Sequence, residues 1–422
     1  MLRKLPRNVM VALSVAALAV AACTQGAPDD AANRPVPRET LLLTTQAGPL
    51  VVQIPSGSVL FDRPRTVASL GGSWLLSATP SAGSTLLETV DGADAESASD
   101  VSLDGTLDVR VVSESGAAVA LTDPLPDGWD PEVPLPRSRT PIVVADPTGA
   151  GQPRTYDLRG NFEPEAFSTD DRQLFMIQHL PAEAPTVYRV TVLDLKRGRV
   201  HPVFGPYKAP PERMPGIRLQ QIISPNADQL YTLYSSARPG YAPHHAPVAN
   251  DATVSFVHVL SLQDGWAHCV GLPKELWDRP AGEQAMATSP NGRLLYIVDA
   301  TLGLVTVMDT ASLEIHTTPI DLAVPGVRHT SAVVSANGSA LFVGTSGEHS
   351  GVTKIDTDTF EVLRTWETDD VSGLGLSADG ERLYVAFDDR VEVMDATTGS
   401  ELAGVAVASP APIERVSVAL AS

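Results

Sequence analysis

The chain has 422 residues, 43% of them hydrophobic and 19% charged, and 50 acidic side chains against 30 basic ones give a formal charge of −20. That balance excludes nucleic acid as an expected partner, because binding it depends on clustered Lys and Arg that neutralise phosphates. It favours solubility and names no substrate.

At the N-terminus, Arg3, Lys4 and Arg7 precede an apolar run from Val9 to Ala22 that only Ser14 interrupts, which is the build of a signal peptide. Crossing the hydrocarbon layer takes about 20 apolar residues. This run is shorter and stops at a polar, Pro-containing segment, and no later stretch comes near that length. Its end, Val20-Ala21-Ala22-Cys23, resembles the bacterial lipobox, which implies removal of residues 1–22 and a lipid on Cys23 as the first mature residue. An ordinary signal peptide cut near Ala22 would instead leave Cys23 as a thiol. With either cut the domain is expected outside the cytoplasm, and with the first it is held to the membrane on its extracytoplasmic face. Thr24, where an Asp would favour retention, speaks against the inner membrane of a two-membrane host. Cys269 is then the one remaining cysteine, so no intramolecular disulfide is expected, and it reads as a small buried strand residue. Residues 23–39 are polar with no apolar periodicity and read as a flexible tether. Residues 40–422 read as a single domain.

Beyond the tether the chain repeats itself. The clearest copies begin at Thr288 (TSPNGRLLYIVDATLGLVTVMDT), Val334 (VSANGSALFVGTSGEHSGVTKIDTDTFEV) and Leu376 (LSADGERLYVAFDDRVEVMDATTGSEL). Each joins a small-residue strand ending in Ser, a tight Asn-Gly or Asp-Gly turn, a Leu-Tyr/Phe-Val strand, a loop, a Val-x-Val strand, and an Asp with a Thr-rich turn. Asn-Gly and Asp-Gly suit the positive φ of hairpin turns, and the flanking runs are rich in β-branched and aromatic residues. Weaker copies start at Ala68, Val112, Phe167 and Ile223, so that the serines before the turns are Ser69, Ser113, Ser168, Ser224, Ser289, Ser335 and Ser377. Their spacing matches or exceeds the roughly 40–50 residues of a four-stranded propeller blade. Asn337-Gly338-Ser339 matches a glycosylation sequon but is the repeat's own turn. From about Thr66 to Val407 the repeats resemble the YVTN-type, WD40-like β-propeller family, which implies an all-β ring of blades.

Blade number follows from the chain's ends. Ile413 to Ser422 reads as one further innermost strand, and Leu41–Thr45, Leu50–Ile54 and Ser58–Phe61 supply three partners for it. This predicts eight blades, the last a composite of both termini, with seven if the N-terminal segments only brace an edge.

In a blade whose strands run a to d from the axis outward, b–c loops and d–a connections open on one face, and a–b and c–d turns on the other. The a–b turns are uniformly tight, whereas Leu180–Thr186, Gly205–Arg218, Ser236–Thr253, Gly271–Gln284 and Thr345–Gly351 are insertions on the first face. Long loops gathered on one face of a compact domain argue for function. They carry the candidate binding residues His179, Tyr207, Arg213, Arg218, Tyr241, His244, His245, Trp277, Arg279, His329 and His349. The arginines and aromatics suit an anionic or carbohydrate-like group. Adjacent histidines without spaced Cys, Asp or Glu partners are a weak metal signal, and no metal or cofactor is expected. Asp309, Asp356 and Asp395 recur at one repeat position and read as turn caps rather than catalytic groups.

No nucleophile elbow, zinc-spaced cluster or phosphate loop is present in a fitting context. Lactonase-type propellers and quinone-dependent or haem-carrying dehydrogenases similar to this family use the insertion-bearing face, but none of their catalytic residues can be placed here. The expected function is a monomeric binding module or envelope scaffold, holding a small molecule or an envelope protein. The alternative is an extracytoplasmic hydrolase or lyase, lactonase-like, with its site at the channel mouth.

Overall fold

The computed structural model describes residues 36–418 except 46, 127, 130–132, 211–212, 215, 236–254, 278 and 409–412. The described strands form eight four-stranded antiparallel sheets arranged as the blades of a β-propeller. Blade 1 spans Thr66–Asp104, blade 2 Asp108–Arg159, blade 3 Asn161–Pro202, blade 4 Ile217–Gly271, blade 5 Gln284–Pro319, blade 6 Val327–Glu367 and blade 7 Gly373–Ala406. Blade 8 takes its innermost strand, Ile413–Val418, from the C-terminus and the other three, Glu39–Thr45, Gly48–Ile54 and Ser58–Asp62, from the N-terminus. The composite is registered Leu41 opposite Val418 and Leu43 opposite Val416, so the eight-blade reading holds and the seven-blade one does not.

The core is distributed rather than central: eight apolar clusters each fill one interface between neighbouring blades. A blade exposes two apolar faces and is stable only between neighbours. Strand b therefore packs on both sides, as in Leu294–Asp299, where only Leu294 escapes full burial, and in the wholly buried Arg382–Ala386. The repeat aromatic seven residues after the turn serine, Phe175, Tyr231, Tyr296, Phe342 or Tyr384, is among the largest fully buried side chains. Each such ring contributes roughly 1.5–3 kcal/mol by leaving water. Outer strands such as Val362–Glu367 stay largely exposed.

The seven turn serines share one task. Each hydroxyl accepts the backbone N–H five residues on, at 2.9–3.3 Å. In blades 5 to 7 it also donates to the turn Asn or Asp, as Ser289 does to Asn291 at 2.8 Å. The Asn-Gly and Asp-Gly turns differ from expectation in one respect: only the second residue, Gly292, Gly338 or Gly380, has positive φ. A two-residue type I′ turn would need it at both. These are wider turns in which Asn or Asp caps the loop and Gly alone turns it. On the c–d side, Asp309, Asp356 and Asp395 each accept two turn N–H groups at 2.7–3.0 Å, as caps do. Those bonds hold the Asp309 and Asp356 carboxyls below the usual range.

Candidate binding face

Because successive strands alternate in direction, every a–b and c–d turn lies at one end of the ring, the turn face, and every b–c and d–a connection lies at the other, the loop face. Strands a and c start at the loop face and strands b and d end there. Its mouth is built from the first residues of the a strands and the corners beside them.

Arginines are concentrated at this mouth, and carboxylates engage them. Arg110 and Arg137 flank Glu163 at 3.5 and 2.9 Å, and Arg218 stands 3.9 Å from Glu165. Arg279 bonds the fully buried Asp299 at 3.1 Å and also Glu283. Arg328 pairs with Asp370, and Arg390 reaches Asp369 at 2.7 Å and Glu392 at 3.0 Å. Burial pushes the Glu165 carboxyl up, opposed by Arg218 and by the 2.5 Å bond that Gln221 Nε2 donates to it.

Between blades 3 and 4 a column of rings runs outward from the mouth. His179 meets Tyr188 edge-on at 6.2 Å, Tyr188 lies 5.2 Å from Tyr234, and Tyr234 stacks on Phe256 at 5.3 Å and meets His258 at 6.4 Å. Burial lowers His179 to about 4, helped by the charge of Arg137, and lowers His258 to about 4, helped by His268. Burial likewise raises Tyr188 and Tyr234 well above the ordinary phenol value. The column is a neutral polar seam inside an apolar interface.

The structure separates the candidates that the sequence groups together. His179 belongs to the ring column, and Arg218 joins it through Glu165, whose charge raises both tyrosines. Arg279 reaches Asp299 of blade 5, and Trp277 donates Nε1–H to Leu272 O at 2.8 Å, with Leu272 N–H in turn bonded to Ser255 O of blade 4 at 3.0 Å. Half-buried His329 sits on the inner strand of blade 6 opposite Ser346, and His349 is exposed at the b–c corner of that blade. Most of Thr345–Gly351 is paired strand, so that insertion is shorter than its sequence implies.

Tyr207 is the clearest departure. The outer strand of blade 3 stops at Pro202, opposite mid-strand Thr191, and the connection pairs Phe204 with Trp266 beside the turn-side start of blade 4's outer strand before Met214 pairs with Tyr188. Tyr207, fully exposed with φ +56°, therefore stands on the outer wall rather than over the mouth, and Arg213 is exposed on the return leg. Cys269 lies opposite His258 on that outer strand and is only partly buried. Cys23, Tyr241, His244 and His245 lie outside the described residues. Among the described residues no three His, Cys, Asp or Glu side chains are arranged to hold a metal ion.

One insertion escaped the sequence reading: the b–c loop of blade 2, between Thr122 and Arg139. Its Arg137 bonds Asn161 Oδ1 at 3.1 Å, Phe162 O at 2.5 Å and Glu163, while Asn161 Nδ2 donates back to Leu135 O at 2.8 Å. Its density of prolines, five between Asp123 and Ser138, was the available signal. Among the described residues, insertions thus open on the loop face after strand b of blade 2, after strand b of blade 3 and between blades 4 and 5.

No family profile matches the chain, and no curated protein does. Solved structures do match. Apo AztD from Citrobacter koseri superposes with a TM-score of 0.54 at 13% identity, over 90% of this chain and 98% of that one. A second structure of Citrobacter koseri AztD gives 0.53 at 14%, over 90% and 96%. Dihydro-heme d1 dehydrogenase NirN in complex with DHE gives 0.51 at 12%, over 93% of this chain and 76% of that one. At such identities the likeness is one of fold.

Proposed function

We propose that the chain is an extracytoplasmic binding module, leashed to the membrane through a lipid on Cys23, that holds its ligand or envelope partner on the loop face, turned away from the bilayer. The observation that carries this reading is that the first strand enters the ring at the turn face, whereas the described insertions open on the loop face. Glu39 opens a b strand and so lies at the turn face, where its carboxylate takes two hydrogen bonds from Arg382, the first residue of strand b in blade 7, at 3.0 and 3.2 Å. A chain of the length and polar composition of residues 23–38 reaches on average roughly 20–25 Å. Passing up the side of the ring takes about 25 Å of strand height and a similar distance outward, so the short leash favours a turn face held toward the membrane.

The alternative, a hydrolase or lyase at the channel mouth, needs unengaged acid, base and cation groups converging on the axis. The mouth's arginines instead brace insertions and blades, which supports the binder.

The test uses full-length protein matured in cells and reconstituted in vesicles, in a Cys269→Ser background, with a dye on Ser312→Cys at the turn face or on His349→Cys at the loop face. Lipid-headgroup acceptors should quench the turn-face dye severalfold more strongly, and Cys23→Ala should release the protein from the membrane fraction. Equal quenching at both positions overturns the orientation, and retention of Cys23→Ala overturns the anchor.

A further inference from the structure

At the loop-face end of blade 2's outer hairpin, two arginines face each other. The strands Arg139–Ala145 and Arg154–Arg159 pair with Arg139 directly opposite Arg159. Gly160 N–H donates to Ser138 O at 2.8 Å, which makes Ser138 and Gly160 the hydrogen-bonded pair. Arg139 and Arg159 are therefore the adjacent, non-hydrogen-bonded pair, the one whose side chains lie closer. Like charges so placed repel unless something neutralises them. Asp157, two residues back on the same face, does so for Arg139, accepting from its Nε at 3.0 Å. Arg159 has no carboxylate or hydrogen-bond partner among the described residues. The chain carries a formal charge of −20, and the mouth arginines named above have carboxylate partners, whereas Arg159 faces another cation.

Both residues line an open surface cleft of about 490 Å³, bordered by Pro181, Ala182 and Glu183 from the b–c insertion of blade 3. That volume lies within the range of small-molecule sites and is several times what a bare oxyanion fills. Glu183 decides the ligand class. A simple anion between the arginines would feel its repulsion, whereas a ligand carrying hydroxyl donors makes it an acceptor.

We propose that this cleft binds a carboxylate-bearing polyhydroxy ligand, the class of acidic sugars, with Arg159 and Arg139 holding the carboxylate and Glu183 accepting hydroxyl hydrogens. Arg159 presents a fork whose two parallel N–H groups match a carboxylate edge. The inference deepens the reading of the loop face as the binding face and does not depend on the lipid.

The test is calorimetric titration of the purified protein with glucuronate, glucose and inorganic phosphate. Glucuronate should saturate and glucose should not. Arg159→Gln should weaken glucuronate at least tenfold, with Arg159→Lys recovering only part because a point charge replaces a fork. Glu183→Gln should weaken glucuronate while tightening phosphate. Because Arg159→Gln relieves a like-charge pair, its melting temperature should not fall, which separates lost binding from lost fold. Glucose binding as tightly as glucuronate, phosphate binding as tightly as glucuronate, or glucuronate binding untouched by Arg159→Gln each overturns the assignment. If glucuronate fails while the vesicle dyes still place the loop face outward, this inference alone falls.

Discussion

One ion-pair cluster reinforces the closure of the ring, and its worth can be predicted. Arg382, 8% exposed, donates to Glu39 Oε1 at 3.0 Å and Oε2 at 3.2 Å and to Asp379 Oδ2 at 3.0 Å, joining blade 7 to the first strand of the composite blade. Removing one partner of a buried pair costs about 3–5 kcal/mol, because the other charge stays behind in a poorly solvated place. Arg382→Gln leaves two carboxylates without their cation, but Asp379 is about half exposed and can rehydrate. A cost near the bottom of that range, about 3 kcal/mol, is expected. Glu39→Gln leaves Arg382 with Asp379 and a neutral acceptor, so about 1–2 kcal/mol is expected. Urea unfolding of both single variants and the double variant should give the asymmetry and a coupling above about 1 kcal/mol. Hydrogen exchange should localise the loss to Glu39–Thr45 and Ile413–Val418. Equal costs for the two single variants, or strict additivity in the double, would refute the claim that this cluster clasps the ring.

Other consequences follow. His258 has its folded-state value depressed from 6.5 to about 4, so its contribution is complete above pH 6.5, declines as pH falls from there and is lost below about 4. The loss amounts to about 3 kcal/mol. Glu165, raised by burial, works in the opposite direction as it takes up its proton, so the clean readout is a comparison: between pH 7 and 4.5 the melting temperature of His258→Gln should fall less steeply than that of the parent. Identical slopes would remove His258 from the account. Ser289→Ala leaves the Leu294 N–H without its 2.9 Å acceptor and should cost about 1–2 kcal/mol in urea unfolding. At Gly399, φ +75°, a Cβ would lie 2.0 Å from Trp366 Nε1, whereas at Gly83, φ +82°, nothing stands within 4 Å. Gly83→Ala should therefore cost only the left-handed penalty of about 1–2 kcal/mol. Gly399→Ala should cost clearly more and shift the tryptophan emission. Matching values would show that the Trp366 contact is slack.

Much of the fold is legible in the residues because it is made of local rules repeated. The turn serine, the Gly three residues after it in five of the seven turns and the capping Asp act within a few residues of one another, so they recur in any stretch that folds as a blade. Strand b, buried on both faces, writes an apolar run such as Leu-Tyr-Ile-Val, and the chain ends carry enough of that pattern to announce a shared blade. The outer strands write almost nothing: Ser97–Asp104 has one buried residue, because the outermost strand has a neighbour on one edge only and mostly faces water.

The candidate site was legible only as a face. Strand alternation is a counting rule, so the end of the ring that carries the insertions could be read without coordinates. Which side chains are available there could not. Arg279 is committed to Asp299 and Glu283, Arg137 to Glu163 and Asn161, and Tyr207 is carried down the outer wall by the pairing of Phe204 with Trp266. The Arg139–Arg159 pair arises from the register of a hairpin, and Glu183 joins it from the next blade. By itself the sequence determined the repeat, the ring and the face, since those rest on local hydrogen bonding and on periodic burial. Only the tertiary structure decided which charges neutralise one another and which stay open, because Coulomb pairing depends on distances between blades that no local pattern encodes.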